Sequence, residues 1–317
     1  MSAGALPVPG RSPGRPWDAL CLGLNAIDHL CLIPERPTWG GKLRMTRLAT
    51  MGGGQAATAA CSLARLGHRV AYAGVAGDDQ AGQKAAPWLR ELGVDPCGLV
   101  VKPGTLSQQA FIMVEEQGGE RTIVWTRDEA CHLEPADLDP ALLAACRVLH
   151  LDGHFWRASI QAAQLARAAG AVVSLDAERV FAGTAELVGL CHVVVGCQDF
   201  AQRLLGVEDP RKALEGLATL GPAWVGRTLG AQGAELLAEG RYHRHPGFVV
   251  PAVDTTGAGD VFHAGLVHAL LLGQGPREAL ATANAAAAMS VTGLGGRSAL
   301  PSLPELEDFL ATHPPRP

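Results

Sequence analysis

Short apolar runs alternating with helical patterns constrain this chain more than any other feature. Asp18–Leu24, Val70–Val75, Val148–Leu151, Ala171–Leu175 and Cys191–Val195 are each apolar or β-branched, and each ends at a glycine, an aspartate or a turn. Strands of that kind lie inside a parallel sheet with both faces covered. Between them, Ala56, Ala59, Ala60 and Leu63 recur at helical spacing, and Ala158–Ala169 and Pro210–Leu220 carry helical patterns too. Such alternation predicts an α/β fold, a doubly wound and mostly parallel sheet flanked by helices. Residues 33–51 and 108–126 break it. The second segment has the pattern of a hairpin: Ala110–Val114, a Gly118-Gly119 turn, then Arg121–Thr126. Together they predict a small β-sheet, either a lid over a cleft or an ordinary edge hairpin.

The 317 residues suit two modest domains or one large one. With 48% hydrophobic and 18% charged residues, disorder of the whole chain is excluded. A net charge of −5 argues against a general nucleic-acid binder. No apolar stretch approaches the ~20 residues of a membrane span. Residues 1–16 hold small residues, prolines and two arginines without the apolar core of a secretory signal, and read as a disordered tail ahead of a domain at 17–317. The eight cysteines form no C-x-x-C pair and sit mostly in apolar runs, as free thiols of a reducing compartment do. The expectation is a cytoplasmic protein with neither nucleic acid nor membrane as partner. The 39 glycines imply many turns, or loops where something approaches the backbone closely.

Chemistry concentrates in Val253-Asp254-Thr255-Thr256-Gly257-Ala258-Gly259-Asp260, which leads into an apolar helical stretch. Small residues before a helix leave backbone N–H groups unobstructed, and the helix dipole adds positive potential. Asp260, in the first turn, could take a proton from a hydroxyl while those N–H groups stabilise charge on a transferring phosphoryl group. The plainer reading is a glycine turn with Asp260 as a helix starter.

The string D-T-T-G-A-G-D-x-F resembles the C-terminal signature of the ribokinase (PfkB-type) carbohydrate kinases. Gly52-Gly53-Gly54-Gln55-Ala56-Ala57-Thr58-Ala59-Ala60, leading to Val75–Asp79, is similar to that family's N-terminal signature. Thr228-Leu229-Gly230-Ala231-Gln232-Gly233 resembles its nucleotide-site turn, and Ala283-Asn284-Ala285-Ala286 with Gly295 its adenine-flanking segments. The four motifs occur in order across Trp17–Pro317. The resemblance implies a ribokinase-like fold with a β lid and ATP-dependent phosphorylation of a primary hydroxyl on a small sugar, with Mg²⁺ on the ATP. It implies Asp260 as base and Gly257, Ala258 and Gly259 as the anion hole. Asp28, Gly53, Gly54, Thr58, Lys42, Asp152 and His154 would meet the acceptor. Thr228, Gly230, Gly233 and Asn284 would meet the nucleotide, and Asp254 and Thr256, with carbonyls near 290–295, would hold a monovalent cation such as K⁺. An exposed apolar hairpin commonly seeks a partner, so a homodimer through the lid is also expected.

Two departures stand out. Thr58 replaces the family's asparagine, and its N-x-x-E motif appears as Cys197-Gln198-Asp199-Phe200, with Asp199 one register away. The G-G-G-x-A-A-T-A-A form with Lys42 upstream is similar to sulfofructose kinases, whereas Trp125 and His154 occupy positions where that reading expects polar or cationic sulfonate ligands. A sulfosugar kinase, a nucleoside kinase and a sugar-binding regulator that has lost catalysis stay open as alternatives. Gly52-x-Gly54-x-x-Ala57 also fits a dinucleotide fingerprint, but it lacks the acidic residue ~20 positions on at a strand end.

Overall fold

A computed structural model describes residues 2–317. Its strands are β1 (Trp17–Leu22), β2 (Ala26–Ile33), β3 (Arg47–Gly53), β4 (Val70–Gly77), β5 (Val94–Lys102), β6 (Gln109–Glu115), β7 (Arg121–Thr126), β8 (Cys146–Leu151), β9 (Val172–Ala177), β10 (Val193–Gly196), β11 (Trp224–Thr228), β12 (Ala234–Ala238) and β13 (Arg241–His245). The helices are α1 (Gln55–Arg65), α2 (Gly82–Glu91), α3 (Pro140–Ala144), α4 (Trp156–Ala168), α5 (Thr184–Leu190), α6 (Phe200–Leu205), α7 (Pro210–Ala218), α8 (Ala258–Leu271), α9 (Pro276–Ser290) and α10 (Leu303–Thr312).

Nine strands form one sheet in the order β13-β12-β11-β10-β9-β8-β1-β4-β5. Its pairs are parallel from β11 to β5, and β12 and β13 continue it antiparallel. Neighbouring residues of a strand serve opposite layers, as a period of two demands. Ala19 and Cys21 pack with α1, α8 and α9, while Leu20 and Leu22 pack with α4, α5 and α7. Both layers are apolar, so the inner strands read as continuous hydrophobic runs. Helix α8 is buried along Val261–Leu271, and Gly265 lets it approach α9 so closely that a Cβ there would sit 2.7 Å from Ala283 Cα. Among the described residues no helix is long and apolar enough to cross a membrane.

A second, four-stranded sheet runs β3-β2-β6-β7. The hairpin at 108–126 forms as expected, with Gly118 and Gly119 at φ 93° and 65°. The other expected lid segment, 33–51, supplies β3 from residue 47 onward, whereas residues 34–46 form a connection. A further lid strand, β2, begins only four residues after β1 ends. The glycine and Asn25 between them redirect the chain from one sheet to the other.

The expected disordered tail is also corrected. Leu6 and Val8 pack against the core, and Arg147 Nε donates to the Pro9 carbonyl at 2.6 Å. The reason is Asp18, whose side chain is fully buried. Burial alone would raise its carboxyl, yet Arg11 from the tail, the Arg69 N–H and Arg147 hold it well below its ordinary value.

Candidate active site

The C-terminal ends of β1, β8 and β9 open toward the lid, which is where a parallel sheet leaves a crevice for ligands. Two cavities meet there. One, of about 340 Å³, is lined by Asp28 from the lid, Gly54 and Gln55 at the start of α1, His154 after β8, Glu178 and Arg179 after β9, and Thr256, Gly257 and Asp260. Lid residues Trp125 and Arg127 close its other side. The second, of about 410 Å³, is lined by Thr228, Gly230, Gly233, Ala258, Gly259 and Asn284 among others. The N-terminus of α8 stands between them, and Arg121 of β7 borders both.

Gly257 makes this junction possible. It caps α8 at φ 76°, and a Cβ there would lie 2.7 Å from Gly296 Cα, so only glycine lets the two loops touch. Asp254 fixes the approach to the helix. Its carboxylate accepts from the Thr256 N–H (2.8 Å) and hydroxyl (2.7 Å), and from the Gly295 N–H (2.7 Å). Asp254 is fully buried and lines neither cavity, whereas Thr256 lines the smaller one. The lid tip docks on the same loop, because the Arg121 guanidinium donates to the Thr255 hydroxyl.

Asp260 faces the smaller cavity from the first turn of α8. Burial raises its carboxyl well above the ordinary value, and the negative charges of Asp176, Asp152, Asp28 and Glu178 raise it further. Behind it, Asp176 lies 3.2 Å from His263 Nε2. Burial would raise Asp176, but the imidazoles of His263, His150 and His154 outweigh it and hold that carboxyl low. The two acids of this neighbourhood are thus pushed in opposite directions, an arrangement suited to separate acid–base roles.

Asp28 sits on β2, where burial pushes its carboxyl up to about 6 against the opposing charges of Arg297 and His29. Gly53 lies directly behind it, with a hypothetical Cβ only 2.0 Å from Asp28 Oδ2. Arg297, unmarked by any sequence pattern, is buried at this corner. Its Nε donates to Thr58 Oγ1 at 3.2 Å and its Nη2 to the Gly53 carbonyl.

Three expected acceptor contacts are placed elsewhere. Lys42 is exposed on the 34–46 connection and does not line the cavity. Thr58 is buried against Arg297. Asp152 is consumed by backbone, accepting from the N–H groups of Leu24 (2.7 Å), His154 (3.1 Å) and Ala56 (3.3 Å), and so holds the chain ends around the cavity. Asp199 lies outside both cavities, paired with Arg203 at 2.9 Å. Arg121, Arg127, Arg179, Gln55 and Glu178 are among the lining residues that sequence reasoning passed over. Arg121 and Arg127 flank β7 closely enough that the hairpin pattern could have flagged them.

Comparison with known proteins matches residues 19–303 to the model of the pfkB family carbohydrate kinases. The chain is 30% identical over 298 residues to a ribokinase of Haemophilus influenzae, covering 91% of this chain and 97% of that one. It is 31% identical over 291 residues to an aminoimidazole riboside kinase of Salmonella typhimurium, covering 82% and 88%. A solved structure from Agrobacterium tumefaciens superposes with a TM-score of 0.87 at 28% identity, over 93% of this chain and 97% of that one. With the glycine-rich helix start, the paired cavities and the β lid all in one chain, this protein belongs to the pfkB family of carbohydrate kinases.

Proposed function

We propose that the protein transfers the γ-phosphoryl group of ATP to a primary hydroxyl of a small sugar bound under the lid, with Asp260 as general base. The observation that carries this reading is the position of α8. Its first turn offers a carboxylate to one cavity and Ala258 and Gly259 to the other. In the proposed step the acceptor O–H gives its proton to Asp260, and its oxygen forms a bond to the γ-phosphorus as the bond to the β-phosphate oxygen breaks. ADP and the sugar phosphate are the products. Backbone N–H groups at 257–259 would stabilise the equatorial oxygens, and Arg121 stands where it can offset charge passing from one cavity to the other. The described residues hold no cluster of three or more His, Cys, Asp or Glu side chains able to bind a metal. Magnesium is proposed to arrive as part of the MgATP substrate, held mainly by its phosphates. A potassium ion at Asp254 and Thr256, bracing the loop before α8, belongs to the same proposal.

The acceptor role of Asp28 has a direct test. Gly53→Ala introduces no backbone strain, but its methyl occupies the space of the Asp28 carboxylate. Losing a charged hydrogen-bonding group should raise the acceptor KM about tenfold or more. The KM for ATP and the thermal midpoint should stay near wild type. Steady-state kinetics with each substrate varied in turn would read this, and an unchanged acceptor KM would remove Asp28 from the site.

The lid also supports a homodimer. Ile123 and Trp125 face the cavity, so the alternate residues of β7 and its neighbours form the outer face. There Leu48, Phe111 and Val124 are more than half exposed, an apolar patch suited to a second copy of the lid. Sedimentation velocity should find a dimer that Phe111→Glu converts to monomer; a wild-type monomer at micromolar concentration would refute it.

A further inference from the structure

The acceptor cavity carries more positive charge than a neutral polyol requires. Arg121 is accounted for by Thr255 and by the neighbouring nucleotide cavity. Arg127, just past β7, and Arg179, two residues past β9, line the acceptor cavity and not the nucleotide one. Neither takes part in an ion pair among the described residues. Glu178, an acid of the same cavity, pairs with neither arginine; it accepts from Gln55 Nε2 at 3.1 Å and lies 3.9 Å from His154.

Both guanidinium groups are braced by rings, Arg127 at 5.2 Å from the Phe155 centroid and Arg179 at 5.4 Å from that of Trp125. Such contacts fix the plane of a guanidinium and leave its N–H edge to bind something else. Arg127 Nη1 is closed off from solvent and has no hydrogen-bond partner. Burial lowers the affinity of Arg127 for its proton, and repulsion from Arg179 lowers it further. Two like charges facing one cavity, one of them partly desolvated and unpaired, are costly in the empty site. An oxyanion seated between them would remove that cost, and the fork geometry of arginine matches a carboxylate, sulfonate or phosphate.

Resting on the kinase reading above, we propose that the acceptor is a small polyhydroxylated anion whose oxyanion group binds Arg127 and Arg179 while a hydroxyl at its other end faces Asp260. A cationic partner for a sulfonate, expected from sequence at Trp125 and His154, is thereby supplied from adjacent positions on different elements. Trp125 becomes the platform for Arg179.

ADP release at saturating MgATP should be compared for fructose, 2-keto-gluconate, 6-deoxy-6-sulfofructose and fructose 6-phosphate. One of the anions is expected to exceed fructose in kcat/KM by roughly 100-fold, and its identity tells carboxylate, sulfonate and phosphate apart. Arg127→Gln and Arg179→Gln should each lower that ratio about tenfold or more, mainly through KM. A merely structural arginine would move the thermal midpoint and not the ratio. Arg179 is exposed on its loop, so its variant serves even if Arg127→Gln fails to fold. Fructose used as well as the anions, or a preference that neither variant moves, overturns the inference and leaves the kinase reading intact. No ADP release with any acceptor from folded protein overturns the kinase reading instead. Calorimetric titration of the same three anions then decides the inference separately: binding weakened by either variant supports it, and absence of binding overturns it.

Discussion

Replacing Asp260 with asparagine is expected to lower kcat by roughly 10²–10⁴-fold, the range lost when a general base is removed. Affinity for ATP should stay near wild type. The amide has the shape of the carboxylate but cannot take the proton of the acceptor hydroxyl, and the N–H groups at 257–259 are backbone and unaffected. The same substitution should carry a stability signature. Burial first, then Asp176, Asp152, Asp28 and Glu178, hold the Asp260 carboxyl well above its ordinary value. A group raised in the folded state contributes stability that is fully present below its unfolded pKa and is lost as the pH rises through its folded pKa. Wild type should therefore lose stability relative to Asp260→Asn as the pH climbs out of the ordinary carboxylate range, while wild-type turnover rises as the base ionises. Thermal melts and kcat across that range measure both. Near-normal turnover by the variant would end the assignment of Asp260 as base, and a melting difference independent of pH would contradict the crowding of acids around it.

What could be read from the sequence were features written into consecutive residues. Inner strands appear as apolar runs because both faces are covered, and the α8 start appears as glycines because a left-handed cap and a loop contact both demand them. What could not be read depends on residues far apart in the chain. Asp152 looks like a site acid at a strand end, but three N–H groups from β1's exit, its own loop and α1 converge on it. Lys42 stands near the lid in sequence yet falls on an exposed connection. Strand β2 was hidden because Asp18–Leu24 reads as one run and the next residues as a turn, when the chain in fact changes sheets there. Arg179 and Arg297 come from a loop and the segment after α9, and no periodicity marks residues that meet only in three dimensions. The tail was misread for a related reason. Its few apolar residues and Arg11 have no pattern of their own, and they are held by a buried acid that needs them.

Gly257→Ala should be the most damaging change of a single methyl group at the site. At φ 76° an alanine carries a left-handed backbone penalty of about 1–2 kcal/mol. Its Cβ would also meet Gly296 Cα at 2.7 Å, backbone against backbone, so no side chain can swing aside to relieve the contact. One of the two loops must move. Either movement rotates the N–H groups at the head of α8 and disturbs the Asp254 ties that brace it, and misaligned anion-hole donors typically cost roughly 10²–10³ in kcat. Gly259→Ala provides the contrast. It lies two residues on, with no positive φ and nothing within 4 Å of an added Cβ, so its thermal midpoint should hold or rise as helix propensity improves by up to about 1 kcal/mol. Melting curves of the two variants, with turnover of Gly257→Ala, separate local strain from a general intolerance of the segment. If Gly257→Ala melted and turned over like wild type, the loop contact would be too soft to organise the site, and the catalytic burden would shift from the backbone at 257–259 to Arg121 on the lid.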